Sequence, residues 1–305
     1  MTEDLDRAIA DHLARMPDAH RRLVEPTVAA DAADTWLRDA LGAYLRHFVR
    51  AFDWHEPREA SERVLVDELA ALAGTARTGD DDADVEVAEA ALRHGFADRG
   101  YEHLGGRTPP HLGAYVWSRT EPRTFTVSLP KGEPQEVTVH LMHDFLLRGW
   151  LYWDTYGRRG AGGWFKDDEP GWADGLYCVR DRYGDPLEDD PAFRVSLLGH
   201  EAQHVADHRA YPDLTSGELE YRAKLVELIG YASVEDRLRS FLEDARDDPD
   251  QPHPHAAHLI VTRLADRLFG QLASDVEWGS IDYGLVSRTA QELLDEDDAR
   301  LAGSA

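Results

Sequence analysis

The chain has 305 residues, of which 59 are acidic and 33 basic, giving a formal net charge of −26 with histidine neutral. At 42% hydrophobic and 30% charged residues it is a globular sequence, neither disordered nor fibrous. A field of this sign repels phosphate backbones and anionic bilayers, so nucleic acid and membrane are excluded as expected partners.

No apolar run approaches the ~18 residues of a membrane span. The N-terminus, MTEDLDRAIADHLARM, carries acids every few residues and no apolar core segment, so it reads as no secretory leader, and the cytoplasm is the expected compartment. The single cysteine, Cys178, permits neither an internal disulfide nor a cysteine-based zinc site, and its surroundings do not suggest an activated thiolate. A metal here must use histidine and carboxylate ligands.

The first hundred residues predict helices. Trp36, Leu37, Leu41, Tyr44, Leu45, Phe48 and Val49 form an apolar stripe near the 3.6-residue period. Val64, Leu65, Leu69 and Leu72 repeat it after Pro57, and Val85, Val87, Ala88, Ala91 and Leu92 repeat it after DDDAD, which reads as an acidic linker. LGGRTPPHLGAYVW, beginning at Leu104, reads as a connection. The expected division is therefore a helical N-terminal region over 1–105 and a second domain over 106–305, with packing of the two as one unit as the other reading. Within the second domain, Phe125, Val127 and Leu129 alternate with polar residues, PKGE turns, and Val137, Val139 and Leu141 alternate back, predicting a hairpin. Trp150, Tyr152, Trp153 and Tyr156 are expected in the core. The glycine-rich GRRGAGGWF, residues 157–165, reads as a long turn or as a lid carrying Trp164, and a third strand is expected over 175–183. Helices follow over about 192–209, 216–245 with a break at Gly230, 255–273 and 287–301. The fold class is α+β, mostly helical.

The chemistry concentrates at 200–204, HEAQH, inside the apolar run Val195, Leu197, Leu198, Val205, Ala206. On a helix, residues four apart differ by about 40° and ~6 Å of rise, so His200 and His204 can aim two imidazoles at one ion. Glu201 projects beside that ion, where a general base must sit to take a proton from a water acidified by the metal. Chance yields about 0.05 such patterns in a chain of this composition.

The flanking Leu198, Ala202, Gln203 and Val205 are all uncharged, and the segment resembles the zincin metallopeptidases. A third ligand is required. His208 continues the same face, but eight residues of helix rise about 12 Å, too far for one straight helix to bring all three histidines onto one ion. Pro212 ends the first helix, and Thr215 with Glu218 matches a capping box that starts the next. The pattern resembles the gluzincin arrangement, in which a Glu on the following helix completes the site. Glu220 with Ala223 resembles the family's E-x-x-A pattern and is the chosen third ligand, with Glu227 and Glu218 as alternatives and Glu227 also suited to supporting a ligand. The resemblance covers about residues 195–230 and implies one Zn2+ per chain, held by His200, His204 and Glu220, with Glu201 as catalytic base of a metallopeptidase acting on a peptide or protein. It also implies a sheet edge that receives the substrate backbone, a place the 123–141 hairpin or the 175–183 strand can fill.

Alternatives remain open at this stage. His253, His255 and His258 in HPHPHAAH read as a loop feeding a helix start, with a metal or transition-state role as the second reading. Tyr211, Tyr221, Tyr231 and Arg222 are candidate oxyanion donors, and Asp207 reads as a solvated helix acid or as an orienter of His204. A non-peptide amide is the alternative substrate, and a helical interaction protein with a structural or vestigial metal site is the alternative function.

Overall fold

The computed structural model describes residues 2–22, 34–160, 162–166 and 172–303. The fold is α+β and mostly helical, with a five-stranded sheet of order β1-β4-β5-β7-β6 and a two-stranded sheet β2-β3. The strands are β1 (Glu102–Leu104), β2 (Arg107–Thr108), β3 (His111–Leu112), β4 (Tyr115–Val127), β5 (Gln135–Arg148), β6 (Gly163–Lys166) and β7 (Gly175–Val179). No described helix is long and apolar enough to cross a membrane. The chain forms two compact units that interleave along the sequence rather than meeting at one point near residue 105. The first comprises 1–121, 141–162 and 178–182; the second comprises 122–140, 163–177 and 183–305.

The first unit carries α1 (Thr2–Arg15), α2 (Thr35–Phe48), α3 (Arg58–Ala73), α4 (Asp81–Ala97) and the short α5 (Trp150–Asp154). The apolar stripe read from Trp36 onwards is α2, whose Leu41, Tyr44 and Phe48 are fully buried. DDDAD is not a linker: Asp80 caps α4, and Asp81, Asp82 and Asp84 lie in its first turn, where the helix dipole favours acids. The segment read as a connection after Leu104 contains the β2-β3 ribbon and the start of β4. Trp150, Tyr152 and Trp153 pack in the core as expected.

One buried polar chain runs through this core. Tyr44 Oη donates to Glu89 Oε1 at 2.7 Å and lies 3.2 Å from His103 Nε2. Burial pushes Glu89 up to about 7 and His103 down to about 3. Their signs are opposite. A raised acid favours the fold below its unfolded value of 4.5 and loses that contribution as pH climbs through about 7. The depressed histidine instead costs stability as pH falls below 6.5. Glu89→Gln is therefore expected to gain stability relative to wild type between pH 4.5 and 8, by on the order of 3 kcal/mol. Urea midpoints at the two pH values check this, and a pH-independent difference would remove Glu89 as the titrating group.

The second unit carries α6 (His200–Ala210), α7 (Ser216–Gly230), α8 (Val234–Asp244), α9 (Pro252–Phe269) and α10 (Tyr283–Ala302). Phe241, Ile260, Leu264, Val286 and Ala290 bury the apolar faces of the last three against Leu225 and Leu228 of α7. The break expected at Gly230 is present. Residues Ala192–Gly199 form a wider helical turn that runs straight into α6, a geometry concentrated at functional sites. The 175–183 strand is shorter than expected, ending at Val179. The end of GRRGAGGWF, together with Lys166, forms the edge strand β6 (Gly163–Lys166) rather than a free turn, while Ala161 lies outside the described residues.

Candidate metal centre

The site sits on the helix pair α6 and α7. Tyr211 closes α6, and Thr215 opens α7 with a capping box in which Glu218 Oε2 accepts from the Thr215 amide at 3.0 Å while Thr215 Oγ1 accepts from the Glu218 amide. The two helices run antiparallel, since His200 meets Glu227 near the far end of α7 and His204 meets Glu220 near its start.

Three side chains converge. His200 Nε2 and His204 Nε2 are 3.0 Å apart, and the Glu220 carboxylate straddles them, with Oε2 3.4 Å from His200 and Oε1 3.4 Å from His204. Ligand atoms ~2.0–2.1 Å from a tetrahedral metal ion stand about 3.3 Å from one another, so His and Glu groups at these separations could hold a metal ion. His204 Nδ1 is buried without a hydrogen bond, while Glu220 Oε2 has His253 Nδ1 at 2.6 Å. Burial by itself would depress His200, but the carboxylates of Glu220 and Glu227 outweigh it and push His200 up to about 9. Burial would raise Glu220, yet His200, His204 and His253 hold it well below the usual carboxylate range. A positive charge is thus strongly favoured among these groups.

His200 Nδ1 donates to Glu227 Oε1 at 2.8 Å, and Glu227 Oε2 is 2.7 Å from Arg237 Nε. This hydrogen bond orients the ring and turns Nε2 towards Glu220, so Glu227 positions His200 rather than joining the converging groups. Glu227→Gln is expected to weaken metal affinity by about tenfold to a hundredfold, measured by competition with a chromogenic chelator. Unchanged affinity would show that this contact does not tune the site.

The remaining candidates separate cleanly. Glu201 lines a cavity of about 220 Å³ together with His204, His208, Leu219 and Glu220. Glu218 is engaged by the capping box and by Arg300 at 3.3 Å. Asp207 is neither a solvated acid nor an orienter of His204. It is buried, accepts from Gln203 Nε2 at 2.8 Å and from Arg222 Nε at 2.9 Å. Arg222 also reaches Asp297 at 2.9 Å and Asp298 at 2.8 Å, Tyr211 lies against its guanidinium, and Tyr221 Oη accepts from Arg263, so these side chains do not face the cavity that Glu201 lines.

His253 is brought in from α9. Its ring is 65% exposed, with Nδ1 2.6 Å from Glu220 Oε2, whereas His255 and His258 face Asp247. The signal for it was Pro252, which starts α9 and so places His253 in the first turn. Two His/Glu groupings with metal-like spacing occur among the described residues: His200 with Glu220 and His253 here, and His47, Glu62 and His111 in the first unit. There Glu62 already accepts from both terminal nitrogens of Arg107 and from the Leu112 amide, and the guanidinium repels a cation.

The comparisons find nothing to set beside this site. The chain matches no protein-family model, no curated protein and no solved structure.

Proposed function

We propose that the chain is a zinc-dependent hydrolase of gluzincin type, acting on a peptide or protein. The observation that carries this reading is the spacing of His200 Nε2, His204 Nε2 and the Glu220 carboxylate, with Glu201 on the wall of the adjoining cavity. Those three side chains would hold the ion. Bound there, zinc supplies Lewis acidity that brings the pKa of water towards neutrality. Glu201 takes a proton from the water that adds to the substrate carbonyl carbon and returns it to the departing amine nitrogen, so that the amide C–N bond breaks. His253, against Glu220 Oε2, positions that ligand.

Two further observations favour an extended substrate. β1 pairs with only Tyr115–Trp117 of β4, and no other described strand covers the rest of that edge. Within the second unit, the exposed end of β4 borders an apolar cavity of about 530 Å³ that includes Phe125, Phe193, Val195, Leu198 and Gly199, the last adjoining His200. An open strand edge next to an apolar cavity suits a peptide backbone added as a strand with one side chain buried. The alternative, a structural metal in an interaction protein, is favoured by the proximity of His253, which would close the site as a fourth ligand.

Elemental analysis of protein purified without added metal is the test, with Glu220→Ala and His253→Ala alongside. The expected result is about one zinc per chain in the wild type and in His253→Ala, lost in Glu220→Ala, followed by cleavage in a peptide library. Absence of metal after zinc is offered would overturn the reading. Loss of zinc in His253→Ala, with no cleavage by the wild type, would install the structural alternative.

A further inference from the structure

The first unit holds a second kind of site, independent of any metal. A cavity of about 260 Å³ is lined by Arg148, Arg158, Arg159, Arg182, Tyr152 and Asp181, among others. Four arginines around one cavity are unusual in a chain with 59 acids against 33 bases. Elsewhere in this protein a clustered arginine meets several carboxylates: Arg77 takes Asp67, Asp81 and Asp84, and Arg222 takes three more. Here the guanidinium groups of Arg158, Arg159 and Arg182 meet no carboxylate among the described residues.

Asp181, the one carboxylate of the lining, is already neutralised. Both terminal nitrogens of Arg148 hold it, at 2.8 and 2.7 Å. Arg148 is 9% exposed, stacks against Phe145 and Tyr152, and leaves its buried Nε without a partner. That pair forms a neutral floor, and among the described lining residues the other three arginines leave a net charge of +3. The rim is also ordered before any ligand arrives. Gly157 turns the chain with φ +81°, the Thr155 hydroxyl accepts from the Arg159 amide at 2.9 Å, and Arg158 Nε donates to the Thr155 carbonyl at 3.1 Å.

From this we infer that the cavity binds a phosphate group carried on a small molecule. Guanidinium forks match phosphate oxygens in pairs, and a phosphate dianion offers enough terminal oxygens for three forks, where one carboxylate would leave charge uncompensated. The volume admits the phosphate and a small attached group, with the Tyr152 ring as an apolar wall. The overall negative charge sharpens this selectivity, because an anion is repelled everywhere except where arginines are locally in excess.

Calorimetric titration of the full chain with inorganic phosphate, pyrophosphate and citrate tests the inference. Saturable binding of phosphate or pyrophosphate with Kd at or below about 1 mM is expected, weakening as salt is raised. Arg158→Gln combined with Arg159→Gln, and separately Arg182→Gln, should each weaken it by about tenfold or more. These side chains are exposed, so circular dichroism of the variants should match wild type. Glu220→Ala should leave binding intact, which separates this site from phosphate on a metal ion. No saturable binding, equal affinity in the arginine variants, loss in Glu220→Ala, or binding of citrate alone would each overturn the assignment.

Discussion

Under the proposed function, Glu201→Gln is expected to retain bound zinc while amide hydrolysis falls by about 10²- to 10⁴-fold, the contribution of a positioned general base. The substitution preserves shape and removes only the ability to carry a proton. Glu201 lies one residue from His200 on α6 and lines the cavity without belonging to the converging donor set, so the ligands do not depend on it. Metal content and a single-turnover cleavage assay, run on the same preparation, separate binding from chemistry. Full activity in the variant would remove Glu201 as the base; loss of metal would make it a ligand.

The second large effect concerns stability. Arg222, 3% exposed, ties Asp207 of α6 and Asp297 and Asp298 of α10 to α7 two residues beyond Glu220. Replacing it by methionine would leave Asp207 buried without its cation and Asp297 with only Arg300, which donates to it at 2.9 Å, a change that costs about 3–5 kcal/mol. Burial already raises Asp207 against the opposing pull of Arg222, and without the guanidinium its carboxyl would rise further. A group raised above its unfolded value costs least at low pH, so Arg222→Met should be less destabilised at pH 5 than at pH 8. Chemical unfolding at both pH values measures this. Restoring stability by adding Asp207→Leu and Asp297→Leu would show that the stranded charges carry the cost, whereas no recovery would assign it to lost packing. Because Asp207 and Arg222 lie close in sequence to His204 and Glu220, the single variant should also bind metal more weakly.

Much of the fold is legible from local signals. The stripe from Trp36 to Val49, the break at Gly230 and the Thr215–Glu218 capping box each depend on residues within a turn or two of one another, and the structure carries all three. DDDAD is ambiguous in sequence because a run of acids serves equally as a solvated linker or as a capped first turn, and only the packing of Val85, Ala88 and Leu92 into the core distinguishes them. The HEAQH spacing likewise places two imidazoles on one helical face by geometry internal to that helix.

What the amino-acid order determined by itself is the pair of helices and the residue types on their facing sides. Which acid of α7 meets the histidines was a tertiary decision. The sequence favours Glu220 through its E-x-x-A pattern but leaves Glu218 and Glu227 open, and the three part company because Glu218 caps the helix, Glu220 meets His200 and His204, and Glu227 accepts a hydrogen bond from His200 Nδ1. The approach of α6 to α7, pinned by Arg222 against carboxylates as far away as Asp297 and Asp298, sets those roles. The meeting of His253 with Glu220, and of Arg148 with Arg158, Arg159 and Arg182 around one cavity, likewise joins residues that are separate in the chain and is set by the tertiary fold.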